Sequence, residues 1–322
     1  MRAERMGFLL ADGFALMSTS AAMEPLRAAN LFAPEPLYDI RALSLQGSQA
    51  VSSLGAAFPS EPFAAAGTDF AMVFVVAGGD PFRLRDPALF AWLRALDRAG
   101  VPLGGISGGA AVLAQAGLLD RHRFTLHWHH LEEMRARFPD LLAERRLYVI
   151  DRDRFTCAGG TAPLDMMHAL MAGRHGTAFA QRIADWFIQT EIRSAEAPQQ
   201  ASIAARYGVR SPVVETALAL MESHVADPLD LAQLAALTGL SPRQLQRKFR
   251  DALGVAAMDC YRRIRLETAR DLARGTRLQM AEIAEITGFS SQSALSGAYR
   301  RQFGEPPTAT RQGQRADPAA WA

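Results

Sequence analysis

The chain has 322 residues, enough for two domains that each bury a core. With 49% hydrophobic and 21% charged residues it lies outside the collagen-like, disordered and coiled-coil classes, and 35 basic against 33 acidic side chains leave a net charge of only +2. Two cysteines cannot build a disulfide framework, no apolar run approaches the roughly 18 residues of a membrane span, and the N-terminus lacks a signal-peptide core; a cytoplasmic protein with no membrane partner is expected.

The first half alternates two textures. MGFLL (6–10), YDIRALSL (38–45), FAMVFVV (70–76), VPLGGI (101–106) and LYVI (147–150) read as strands, mostly continuous apolar runs suited to a sheet covered on both faces. Helical segments lie between and after them, around Met23–Asn30, Pro87–Ala99, Gly109–Ala116, 162–173 and 177–190. The alternation predicts a doubly wound, flavodoxin-like α/β domain over residues 1–193. Apolar periodicity fades in 194–212, which contains Pro198 and Pro212 and is expected to be a linker.

From residue 213 onward no strand-like run occurs, and an all-α domain is expected over 213–312, with a tail at 313–322. It contains an internal repeat. At an offset of 49, Leu231, Leu234, Ala235, Leu237, Thr238, Gly239 and Ser241 fall on Met280, Ile283, Ala284, Ile286, Thr287, Gly288 and Ser290. After a one-residue insertion, Leu245, Phe249, Leu253 and Gly254 fall on Leu295, Tyr299, Phe303 and Gly304. Each unit reads as helix, glycine turn, helix, with Ser241 and Ser290 as expected N-caps of the second helix. One such unit could be a plain helical hairpin. Two in tandem point to paired helix-turn-helix units, whose second helices enter the DNA major groove.

Charge supports that reading. Residues 241–277 hold ten basic side chains (Arg243, Arg247, Lys248, Arg250, Arg262, Arg263, Arg265, Arg270, Arg274, Arg277) against four acidic ones, a local +6. Alone, this could be a solvated helix face; beside the repeat it fits a phosphate footprint. The helix patterned over 256–273 would be about 27 Å long, so recognition helices at its ends could enter grooves one DNA turn, about 34 Å, apart. With Leu245, Phe249 and Leu253 inward, Arg243, Gln246 and Arg247 face outward and suit base edges, while Lys248 and Arg250 suit phosphates. Gln244 completes the first candidate surface, and Gln292, Ser293, Ser296 and Arg300 form the second. Gly297 falls where Arg247 stands, so the second helix should discriminate bases less.

Residues 213–312, with the segment GFSSQSALSGAYRRQFGEPPTATR, resemble the DNA-binding domain of the AraC/XylS family. The chain departs from the family pattern at Gly297, Ala294 and Ala309-Thr310, which bears on the strength of the second unit's DNA contacts and not on the fold. The resemblance implies double-stranded DNA and RNA polymerase as partners.

In the α/β half, Gly105-Ile106-Ser107-Gly108-Gly109 fits the nucleophile-elbow pattern G-x-S-x-G between a strand and a helix, with His127 as a possible base. A serine hydrolase or amidase using Ser107 and His127 is therefore one reading. The segments MEPLRAAN, VVAGGD, GISGGAAVLAQAGLLD, FTLHW and FTCAGGTAPLDMM resemble the PfpI-type, glutamine-amidotransferase-like domain. That resemblance implies a cysteine at the elbow, an acid from the first helix and a following histidine. Here they map onto Ser107, Glu24 and His127, and a neutral serine is a much poorer nucleophile than a thiolate. Cys157 and Cys260 read as small core residues, the histidines lack zinc-site spacing, and neither catalytic residues, metal nor cofactor is called for.

The preferred reading is thus a ligand-responsive DNA-binding regulator. N–H groups near Gly78, Gly79, Ser107 and Gly108 would favour a carboxylate, Glu24 a cation and Trp128 its cover, with His127 and Thr161 beside them. Such a site suits a small zwitterion. The order of the two domains, with MEPLRAAN, FTCAGGTAPLDMM and the helix ending ADWFIQTEIR, resembles the GlxA-like branch of AraC-type regulators, which implies activation of a catabolic operon with betaine, carnitine or an amino acid as effector; a homodimer through the α/β domain is expected. A third reading is a ligand-blind DNA-binding protein whose α/β half only dimerises.

Overall fold

The computed structural model describes residues 2–276 and 278–316, with side chains to residue 312; Arg277 and most of the expected tail lie outside the described residues. It divides into two compact units between Gln199 and Gln200. No helix among the described residues is long and apolar enough to cross a membrane.

The first unit runs β1 (Glu4–Leu10), α1 (Leu16–Phe32), β2 (Tyr38–Ser44), the short β3 (Gln49–Val51), β4 (Ala57–Pro59) and β5 (Glu61–Pro62), β6 (Met72–Ala77), α2 (Pro87–Arg98), β7 (Leu103–Ser107), α3 (Gly109–Gln115), β8 (Arg123–Phe124), α4 (Leu131–Arg137), β9 (Leu142–Ala143), β10 (Tyr148–Asp151), β11 (Arg154–Cys157), α5 (Ala162–His175) and α6 (Thr177–Trp186). Seven strands form one sheet in the order β10-β11-β7-β6-β1-β2-β5, parallel except for the β10–β11 pair. The continuous apolar strands are explained by burial on both faces. In β6, Val73, Val75 and Ala77 enter one core while Met72, Phe74 and Val76 enter the other. The sheet therefore sorts alternate residues into two layers of helices, as a doubly wound fold requires.

The expected strands are present, and Cys157 ends β11. Two helices differ in extent: α1 begins at Leu16, and α6 stops at Trp186. The segment expected as a linker is not featureless. Its start belongs to the first unit, where Leu147 N–H donates to Ala195 O at 3.0 Å, whereas α7 (Ile203–Tyr207) and Val209 pack into the second unit's core.

The second unit is helical: α8 (Pro212–Ser223), α9 (Leu231–Leu237), α10 (Pro242–Leu253), α11 (Ala257–Gly275), α12 (Met280–Ile286), α13 (Gln292–Phe303) and α14 (Pro307–Ala316). α11, 19 residues long, serves two cores. Its Cys260, Tyr261 and Ile264 pack with Leu245 and Phe249, while Leu266, Ala269 and Leu272 pack with Ile283 and Leu295.

Candidate ligand site and nucleic-acid interface

β7 ends at Ser107 in the left-handed region, φ 58°, a conformation that costs a non-glycine residue about 1–2 kcal/mol. Its neighbours make room for the turn. A Cβ on Gly109 would come within 1.9 Å of Val75 O, and one on Gly159, itself at φ 88°, within 2.6 Å of Ser107 Cβ. The turn is thus a true elbow at the carboxyl end of the sheet, where open α/β folds hold ligands.

Among the described residues no side-chain hydrogen bond joins Ser107 to His127; the two meet through His127 N–H and Ser107 O, 3.4 Å apart. His127 Nδ1 accepts from the His129 N–H at 3.3 Å, so the neutral ring carries its proton on Nε2 and offers no lone pair there. Burial, with His129 adding repulsion, brings the His127 pKa down to about 4, and that of His130 to about 3. Cys157, beside Ile106 in the sheet, is no substitute nucleophile: burial pushes its thiol up to about 12, although the Gly159 and Ser107 N–H groups point at it. No group of three or more His, Cys, Asp or Glu among the described residues could hold a metal.

Several expected ligand contacts move. The Glu24 side chain, 42% exposed, pairs with Arg27 at 2.6 Å, and among the described residues no hydrogen bond or ion pair joins it to the elbow. The α1 residue that does reach the elbow's rim is Ser18, whose buried Oγ accepts from Gly160 N–H at 2.7 Å. Six residues separate the two, which on a helix turns them to different faces. The Gly108 N–H, expected to face an anion, donates instead to Ala77 O at 3.0 Å. Gly78 and Gly79 follow β6 at the same sheet end, with Gly79 exposed, and Trp128 stands half-buried with its ring 5.3 Å from that of His127. Thr161 is exposed, and its Oγ1 accepts from Arg193 Nη2 at 2.8 Å. No periodicity points to Arg193, which lies 32 residues from its partner. A cavity of about 360 Å³ opens at the opposite end of the strands, around Arg154, which pairs with Asp97 and Asp153.

In the helical unit each glycine turn is realised, Gly239 at φ 70° and Gly288 at φ 67°. Ser241 caps α10 in a capping box with Gln244, but the cap of α13 is Ser291, not Ser290, because the inserted residue falls before the cap. Two glutamines assigned to DNA are already engaged. Gln244 Oε1 accepts from Ser241, and Gln246 Oε1 accepts from Ala257 N–H at 3.1 Å, serving as cap for α11, whose own N-cap is Ala256.

The basic stripe also divides. Arg262 pairs with Asp259 and Arg263 with Glu267. Arg265 donates to the carbonyls of Thr287 and Gly288 and lies over the Phe289 ring, while Arg270 lies over Phe303. Arg243, Arg247, Lys248 and Arg250 remain exposed on α10, with no side-chain partner among the described residues. On α13, Gln292, Ser293 and Arg300 are exposed and Ser296 is half-buried.

Comparison with known proteins agrees with both halves. The DJ-1/PfpI family model matches residues 4–173 and a helix-turn-helix domain model matches 234–313. The chain is 45% identical to the HTH-type transcriptional regulator GlxA of Rhizobium meliloti, over 96% of this chain and 95% of that protein. It is 39% identical to the HTH-type transcriptional regulator CdhR of Pseudomonas aeruginosa, over 94% of this chain and 90% of that one. Among solved structures, an AraC family transcriptional regulator from Pseudomonas putida is 28% identical, with a TM-score of 0.53, over 57% of this chain and 99% of its own. A ThiJ/PfpI family protein from Pseudomonas syringae, 20% identical with a TM-score of 0.52 over 74% of this chain and 92% of its own, shares the fold.

Proposed function

This chain belongs to the DJ-1/PfpI family and to the AraC-type helix-turn-helix regulators, and from that premise we propose that its α/β unit is a catalytically silent sensor for a small zwitterion. The protein is a DNA-binding transcription regulator; what the sensor binds, and that it does no chemistry, is the proposal. The observation that carries it is the elbow without a base: Ser107 keeps the strained turn, but the His127 ring has its accepting nitrogen committed to His129. A serine without an acceptor for its proton is a weak nucleophile. The alternative, a serine hydrolase, predicts hydrolysis of a generic ester that disappears in Ser107→Ala; no such activity is expected.

On DNA, Arg243 and Arg247 are assigned to base edges and Lys248 and Arg250 to phosphates, with Gln292, Ser293, Ser296 and Arg300 as the weaker second surface. The regulator works in the cytoplasm as a homodimer, acting with RNA polymerase to activate a catabolic operon. Glycine betaine, carnitine and arginine form the first ligand panel, since each carries a carboxylate and a cationic centre. Binding to the folded state raises the melting temperature. A panel without effect on melting or on operator affinity would leave a ligand-blind DNA-binding protein instead.

A further inference from the structure

Residues 189–199 form a strap tied to both walls of the elbow site. At one end, fully buried Asp165 on α5 accepts from Gln189 Nε2 at 3.1 Å, from the Arg193 N–H at 2.9 Å and from the Arg193 guanidinium at 2.6 Å. The same guanidinium reaches Thr161, two residues beyond the glycine that touches Ser107. At the other end, Gln199 Nε2 donates to Leu126 O, next to His127, and to Arg146 O at 2.6 Å. Division of the chain follows immediately after Gln199.

Arg193 is more than a counter-ion. Its Nε and Nη2 are used by Asp165 and Thr161, whereas Nη1 has no partner among the described residues and the side chain is 36% exposed. The Gly108 N–H, the natural alternative for an anion, is spent on Ala77. A guanidinium held on two of its nitrogens is pre-oriented and loses little freedom when the third takes a carboxylate oxygen.

We propose that Arg193 binds the effector's carboxylate through Nη1 and that the strap it anchors, residues 189–199, carries occupancy of the elbow site to the chain leading into the DNA-binding unit. This rests on the sensor reading above. It adds the residue that selects for a carboxylate and the segment that reports it. Occupancy tightens Arg193 against Thr161 and Asp165, and so orders the strap between its two attachments.

The test uses the full chain, glycine betaine, and choline as the matching cation without a carboxylate. Calorimetry should show betaine binding at least tenfold tighter than choline, and hydrogen exchange across 189–199 should slow on betaine addition. Arg193→Ala alone would leave Asp165 buried and unpaired and can unfold the unit, so the variant is the double Asp165→Asn, Arg193→Gln, which removes both charges together. In that folded variant betaine affinity should fall to the choline level and the exchange effect should vanish. Betaine affinity within twofold of the unaltered chain would overturn the proposal. Should the unaltered chain bind neither compound, the zwitterion reading fails, and acetate then decides: acetate-dependent protection of 189–199 that the double variant lacks supports Arg193, and its absence overturns Arg193 as well.

Discussion

Gln246, on the outward side of the first recognition helix, accepts the backbone N–H of Ala257 at 3.1 Å and so caps the long helix α11 from outside it. Ala256, the N-cap residue, has no side-chain acceptor to do this. Gln246→Ala should therefore lower stability by about 1 kcal/mol in urea unfolding while leaving base preference unchanged. Arg247→Ala should do the reverse: about 1–3 kcal/mol of specific binding lost, with relaxation at one position of the site, and no loss of stability. A site-selection series on both variants separates the two roles; altered preference in Gln246→Ala would return that residue to the DNA surface.

Arg265 should behave as a structural cation. Its guanidinium holds the Thr287 and Gly288 carbonyls at the turn of the second helix-turn-helix unit. Removing it in Arg265→Ala loses two charge-assisted bonds and the stack on Phe289, a cost of about 2–4 kcal/mol. DNA affinity falls with it, but the slope of log affinity against log salt should stay constant, because no phosphate contact is removed. A slope reduced by about one would place Arg265 on a phosphate.

The histidine loop makes stability depend on pH. His127 and His130 have folded pKa values of about 4 and about 3, below the usual 6.5, so between those values and 6.5 the unfolded chain binds more protons. Stability should be full above pH 6.5 and fall as pH drops toward 4, by a few kcal/mol in total. Replacing buried His130 by Phe should flatten the pH 4–6.5 limb of a denaturation series. An unaltered limb would mean that other groups carry the acid sensitivity.

Gly109→Ala tests the elbow's packing. The added methyl would sit within 1.9 Å of Val75 O, and a backbone carbonyl inside the sheet cannot step aside. About 2–4 kcal/mol of destabilisation is expected in chemical denaturation, with ligand binding weakened in step.

How far these features could be read from sequence depends on the range of the physics involved. Apolar runs, the glycine turns and the repeated helix pairs obey local periodicities, and their elements appear within a few residues of expectation. The elbow was legible because Gly105, Ser107 and Gly109 sit within five residues of one another. Glu24 misled because an acid in the right helix is not an acid on the right face; Ser18 occupies that face. Arg193 with Thr161, and Arg265 with Thr287 and Gly288, are contacts spanning 22 to 32 residues, and no composition or period encodes them. A charge tally is blind for the same reason to the carbonyls that engage Arg265 and the ring beneath Arg270.

On the DNA assignment proposed above, the four exposed cations of α10, without a side-chain partner among the described residues, also set how the regulator searches a chromosome. On random duplex, where Arg243 and Arg247 meet phosphates as Lys248 and Arg250 do, these four give log affinity a slope against log salt of only about −4, and raising salt from 50 to 200 mM weakens their contribution roughly a hundredfold. The chain before position 212, with 21 basic and 21 acidic residues, adds no net charge to this. The expected outcome is brief residence on random duplex and a longer one on the specific site, set by the base edges that the proposal above assigns to Arg243 and Arg247.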